Sequence, residues 1–209
     1  MGISNLWDKA KYLAWFTILF NIVEGLVSVF FGITDDALTL FGFGMDSFIE
    51  TISAIGVLVM IRRIRQNPGT DKSKFEVTAL KLTGWCFYVL SLLLAAGAVM
   101  NLVNGTKPES TMPGIIISLI SIGAMLWLIQ SKKSIGRKLN SPPIIADANC
   151  NLVCVYMSVV LLLSSAAYEL FGFGWIDAIG TAGIIYFSVK EGMESFEIAR
   201  SLHDECTCE

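Results

Sequence analysis

The chain has 209 residues, 54% of them hydrophobic and only 16% charged, with a formal net charge of −3. A mean hydropathy of +0.65 is too apolar for a water-soluble domain, where about a quarter of residues are charged. Lipid is the expected solvent, and because the charges are sorted into short connections, no nucleic-acid partner is expected.

A hydrocarbon core about 30 Å thick needs about 20 mainly apolar residues per crossing helix. Such runs lie at 12–33, 37–62, 76–104, 113–131, 144–169 and 175–200. They predict an all-α membrane protein, a bundle of six transmembrane helices in a single domain over 1–202. The residues before the first run include Asp8, Lys9 and Lys11 but no small-residue cleavage site, so this run reads as a retained helix and not a signal peptide. It contains Glu24, with Asn21 one turn earlier. An ionisable group at a helix centre in lipid costs at least about 2.5–3.5 kcal/mol and is a functional candidate by default. Glu24 can line an ion route, or it can hydrogen-bond a neighbouring helix with Asn21 as its companion.

The second run carries Asp46 and Glu50, four residues apart. That spacing puts both carboxyls on one helix face, one turn above the other. Two like charges so placed in lipid repel unless a cation or protons neutralise them. The connection that follows collects Arg62, Arg63, Arg65, Lys72 and Lys74, and the one after the fourth run collects Lys132, Lys133, Arg137 and Lys138. The other connections carry only Lys107. The positive-inside rule therefore places both termini and the two basic connections in the cytoplasm.

The fifth run carries Cys150 and Cys154 at the same four-residue spacing, with Asn149 and Asn151 beside them. Two thiols at this spacing are either small packing residues or ligands. If the second and fifth helices pack together, Asp46, Glu50, Cys150 and Cys154 meet near mid-membrane as two oxygens and two sulfurs, a tetrahedral set for a zinc-like ion. Five cysteines without a secreted-type spacing read as reduced thiols. Asp177 stands at the start of the sixth run, where a helix N-terminus favours an acid. The segment 203–209 reads as a short cytoplasmic tail in which His203, Cys206 and Cys208 can capture a soft metal, and no folded cytoplasmic domain is expected after the sixth run.

An enzyme is not expected. Gly42-Phe-Gly44-Met-Asp46 misses the Gly-x-Gly-Asp pattern of intramembrane aspartyl proteases by one residue, and the only histidine, His203, lies in the tail.

The segment Asp36-Ala-Leu-Thr-Leu-Phe-Gly-Phe-Gly-Met-Asp46-Ser-Phe-Ile-Glu50 resembles the second-helix motif of the cation diffusion facilitators, in which Ala-Leu precedes Asp-Ser-x-x-Asp. Ser141-Pro-Pro-Ile-Ile-Ala-Asp147-Ala-Asn-Cys150 resembles that family's junction into the fifth helix, and Trp175-Ile-Asp177 its sixth-helix start. The resemblance implies a six-helix carrier that exports divalent metal in exchange for protons from a bacterial plasma membrane, with a homodimer formed through the membrane helices. It implies a metal site of Asp46, Glu50, Cys150 in the usual histidine position and Cys154 in the usual aspartate position, with Glu24, Asn21, Asn149, Asn151 and Asp147 along the route. Two thiols in place of histidine and aspartate imply zinc or cadmium over manganese or magnesium, as cargo and not as a cofactor. The alternative is a non-transporting metal sensor or auxiliary subunit with the same fold.

Overall fold

The computed structural model describes residues 3–34, 38–66, 73–104, 112–171 and 175–207. All are helical apart from Asn140 and Ser141. The elements are α1 (Ile3–Thr34), α2 (Leu38–Gln66), α3 (Ser73–Asn104), α4 (Met112–Leu139), α5 (Pro142–Phe171) and α6 (Trp175–Thr207). Among the described residues, five of these helices are long and apolar enough to cross a membrane. At 1.5 Å per residue, the 29 residues of α2 exceed the hydrocarbon thickness, so the helix projects beyond it.

The bundle is turned inside out relative to a soluble protein. On α1, Thr17, Asn21, Glu24 and Ser28 are buried, while Leu19, Val23, Leu26 and Phe30 are exposed. Spacings of four, three and four residues keep the polar group on one face. Apolar side chains go outward because lipid accepts them, and polar ones turn inward because lipid offers them no hydrogen bonds.

Helix α1 packs on α2, α3 on α6 and α4 on α5, and α2 also meets both α3 and α5. The apolar windows of α2 and α5 are 67% and 61% buried, against 33–39% for α1, α3 and α4. The two helices that carry the acid and thiol pairs are thus the inner ones. Contact between α1 and α2 is set by glycine: a Cβ on Gly44 would lie 2.9 Å from the Gly25 carbonyl oxygen, and one on Gly32 would lie 2.6 Å from the Phe41 backbone nitrogen. Small residues let the two backbones approach, which brings Glu24 up against α2.

The basic connections are shorter than the hydropathy pattern implies. Helix α4 continues eight residues past the run at 113–131, so Lys132, Lys133, Arg137 and Lys138 are helical. Asn140 then turns at φ 47°, with Ser141 N donating to Gly136 O at 3.0 Å, a left-handed stop for which asparagine is suited. Pro142 opens α5, where a missing N–H costs nothing. Arg62, Arg63, Arg65, Arg137 and Lys138 are exposed at one end of the bundle, which is the cytoplasmic end. There an Arg65–Asp8 ion pair ties the end of α2 to the start of α1. Lys132 behaves differently, being 2% exposed; it is an interior residue, not a loop charge.

A candidate metal centre

Each acid reaches the interior because its helix turns a polar stripe inward. Glu24 on α1, Asp46 and Glu50 on α2 and Cys154 on α5 are all buried. One ligand atom from each of Glu24, Glu50 and Cys154 lies within 4.8 Å of the others. A single cation can be reached by all three from that spacing.

Supporting hydrogen bonds aim these groups. Asn21 Nδ2 donates to Glu50 Oε2 at 2.7 Å, and Ser47 Oγ donates to Glu24 Oε2 at 3.0 Å. Ser121 Oγ on α4 lies 3.7 Å from Cys154 Sγ. On Glu24, Asp46 and Glu50 together, four buried carboxylate oxygens are left with no hydrogen-bond partner among the described residues: Glu24 Oε1, Glu50 Oε1, and both oxygens of Asp46. Buried acceptors are nearly always paired, so four orphans beside a thiol form an electronegative pocket that fits a cation.

The sequence-derived set is only partly brought together. Asp46 lies beside Cys154 but is outside the three-ligand group, as is Cys150. Cys150 packs with Ile49, Cys86 and Phe87. Glu24 enters the group, and Asn21, expected to accompany Glu24, pairs with Glu50 instead. Positions four apart differ by about 40° and 6 Å on a helix, so Cys150 and Cys154 pack on different apolar neighbours while both stay near Glu50 and Asp46. Asn149 donates to Glu191 Oε2 on α6 at 2.6 Å, away from the group.

A second polar layer lies toward the cytoplasm. Lys132 Nζ forms a 2.7 Å ion pair with Asp147 Oδ2, each side chain 2% exposed, and donates to Asn151 Oδ1 at 2.5 Å. Ser53 Oγ donates to Asp147 Oδ1 at 2.9 Å. Its single hydrogen is then committed, so Thr83 donates to Ser53 across 3.0 Å. In sequence Lys132 follows the end of an apolar run and so resembles a loop charge. A signal was present: Ser118, Ser121, Met125, Leu128 and Lys132 follow spacings of three and four, one inward stripe of α4.

Of the tail, His203 is exposed on α6, while Cys208 and the side chain of Cys206 lie outside the described residues. The side chains of Trp175 and Asp177 lie outside them too, as do Asp36, Lys72 and Lys107.

On its outer side the bundle holds a cavity of about 250 Å³, whose wall includes Phe41, Met45, Leu94, Gly97, Met157 and Asp46. Among the described residues, Asp46 is the one ionisable group on that wall.

Inward polar stripes, outward apolar faces and convergent acids with a thiol define the class: a helical membrane protein with a buried cluster of acids and a thiol among its described residues. The chain belongs to the cation efflux transmembrane domain family, whose description matches residues 14–202. It is similar to the manganese efflux system protein MneP of Bacillus subtilis, 25% identical over 196 residues, which are 88% of this chain and 65% of that protein. An uncharacterized transporter of Methanocaldococcus jannaschii is 25% identical over 173 residues, 81% of this chain and 60% of that one. The magnetosome protein MamB of Paramagnetospirillum magneticum is 21% identical over 208 residues, 97% of this chain and 69% of that one. The chain thus spans 60–69% of the length of these relatives. With its apolar spans and bacterial relatives, it is a multi-pass integral protein of the bacterial plasma membrane.

Proposed function

We propose that this protein carries divalent transition-metal cations out of the cytoplasm, with Glu24, Glu50 and Cys154 as the first ligands and Asp46 completing the site. The observation that carries this reading is the group of four unpartnered, buried carboxylate oxygens beside a thiol. In a dry interior such a group is neutralised either by protons or by a cation, and a site that exchanges the two is what a proton-coupled carrier needs. Family membership supports a cation as cargo.

The cycle is alternating access. A metal ion reaching the site from the cytoplasm displaces a proton from Cys154, since a thiol with an ordinary pKa of about 8.5 is protonated at neutral pH until a metal takes its place. Rocking of the helices then exposes the ion to the outer cavity that borders Asp46, and protons return as it leaves. Export is therefore coupled to proton import.

A thiolate among the ligands favours zinc or cadmium. A second reading is manganese, favoured by the predominance of carboxylate oxygens in the group and by the name of the Bacillus relative, a manganese efflux system protein. Proteoliposomes with a pH gradient test both: saturable uptake of zinc or cadmium ahead of manganese, lost in Glu50→Gln, supports the first reading. Uptake that is absent, or unchanged in Glu50→Gln, refutes the site.

A further inference from the structure

We propose that Lys132 is a positioning residue of the carrier, a tethered cation whose ion pair with Asp147 clamps the cytoplasmic side of the metal site shut in this conformation. The inference rests on the metal-carrier reading for its purpose, but its geometry is independent of any metal.

Four helices are joined through this one ion pair. Lys132 comes from α4, and Asp147 and Asn151 from α5. Asp147 reaches Ser53 on α2, which accepts from Thr83 on α3. All five side chains are buried. Along α5, Asp147 precedes Cys154 by seven residues, which places the clamp about 10 Å nearer the cytoplasm than the thiol. Along α2, Ser53 follows Glu50 toward the same end. The clamp therefore lies between the cytoplasm and the ligands.

The two sides of the site contrast. Outside it, a cavity reaches Asp46 between α2, α3, α5 and α6. Inside it, a buried chain of one ion pair and three hydrogen bonds links α2, α3, α4 and α5 through Lys132 and Asp147. A metal ion approaching from the cytoplasm meets that ion pair before it meets the carboxylates of Glu50, Asp46 and Glu24. Loading requires Lys132 to leave Asp147, and the Coulombic attraction of Glu50 for Lys132 gives the ammonium a second anion to lean on while the metal is absent. The ion pair thus serves as the inner gate, and an arriving cation competes with the chain's own cation for the acids around the site.

Sided thiol labelling tests this without transport. In a Cys206→Ser/Cys208→Ser background, a membrane-impermeant, positively charged methanethiosulfonate reagent is applied to inside-out and right-side-out vesicles, and labelling of Cys150 and Cys154 is followed by peptide mass. With the clamp intact, the inward-open form is a minor state of at most about 10%, so cytoplasmic labelling is slow. Replacing the charges by the neutral pair Lys132→Gln/Asp147→Asn, which leaves no lone charge buried, raises the cytoplasmic rate about tenfold or more. Lys132→Arg keeps the protection, which a loss of packing alone does not explain. Equal cytoplasmic rates in the parent and the neutral pair overturn the proposal. Zinc added in parallel slows labelling if the metal reading holds. A tenfold rise with no protection by zinc or manganese supports the clamp and refutes the metal reading.

Discussion

Asn21 on α1 donates from Nδ2 to Glu50 Oε2 on α2 at 2.7 Å, across two helices whose backbones meet at Gly25 and Gly44. The bond takes one oxygen of Glu50 and leaves Oε1 without a partner. It orients the carboxylate toward Glu24 and Cys154. Groups that hold a metal ligand in this way typically contribute about 10–100-fold to affinity. Asn21→Ala is predicted to weaken zinc binding by about that factor in calorimetric titration. An unchanged affinity would remove Asn21 from the site.

Cys154 supplies the only soft ligand of the three-ligand group. Cys154→Ser exchanges sulfur for oxygen without changing the shape much, and soft ions depend on sulfur more than manganese does. Competition binding is predicted to show cadmium affinity falling in Cys154→Ser while manganese affinity is largely kept. A parallel fall for both ions would mean that the thiol only packs.

Gly44 lets α1 and α2 touch. A methyl group there would stand 2.9 Å from both the Gly25 carbonyl oxygen and the Val29 backbone nitrogen, and backbone cannot swing aside as a flexible side chain can. Overpacking of this kind costs about 1–3 kcal/mol. Gly44→Ala is predicted to lower the thermal midpoint in detergent and weaken metal binding together. Gly123→Ala, at a position with nothing within 4 Å, is the control and should change neither.

The acids were legible in the sequence because a carboxylate within an apolar run has few structural excuses, and Asp46, Glu50 and Glu24 all prove to be buried. The helices were legible because apolar runs of span length admit few other readings. Which acid meets which thiol was not. Glu24 joins Glu50 and Cys154 only because glycines draw α1 against α2, and the rotation between Cys150 and Cys154 is invisible to a spacing argument made in whole turns. Lys132 escaped for a different reason: hydropathy averages a window, and at the end of a run one lysine looks like the start of a loop. Its true partners, Asp147 and Asn151, are on another helix.

The buried pair should also reveal itself in stability. Removing one partner of a buried ion pair leaves the other uncompensated, at about 3–5 kcal/mol. Lys132→Gln alone is predicted to destabilise the protein strongly in detergent unfolding, and adding Asp147→Asn to recover most of the loss. Additive losses in the double variant would show that the two residues do not interact.

The most direct measurement is the metal bound at equilibrium by purified protein, read by elemental analysis after dialysis against zinc, in the Cys206→Ser/Cys208→Ser background so that the tail contributes no thiols. About one ion per chain is expected in the parent, with a large loss in Glu50→Gln and in Glu24→Gln. Metal retained in full by both variants would place the ion elsewhere and contradict the account.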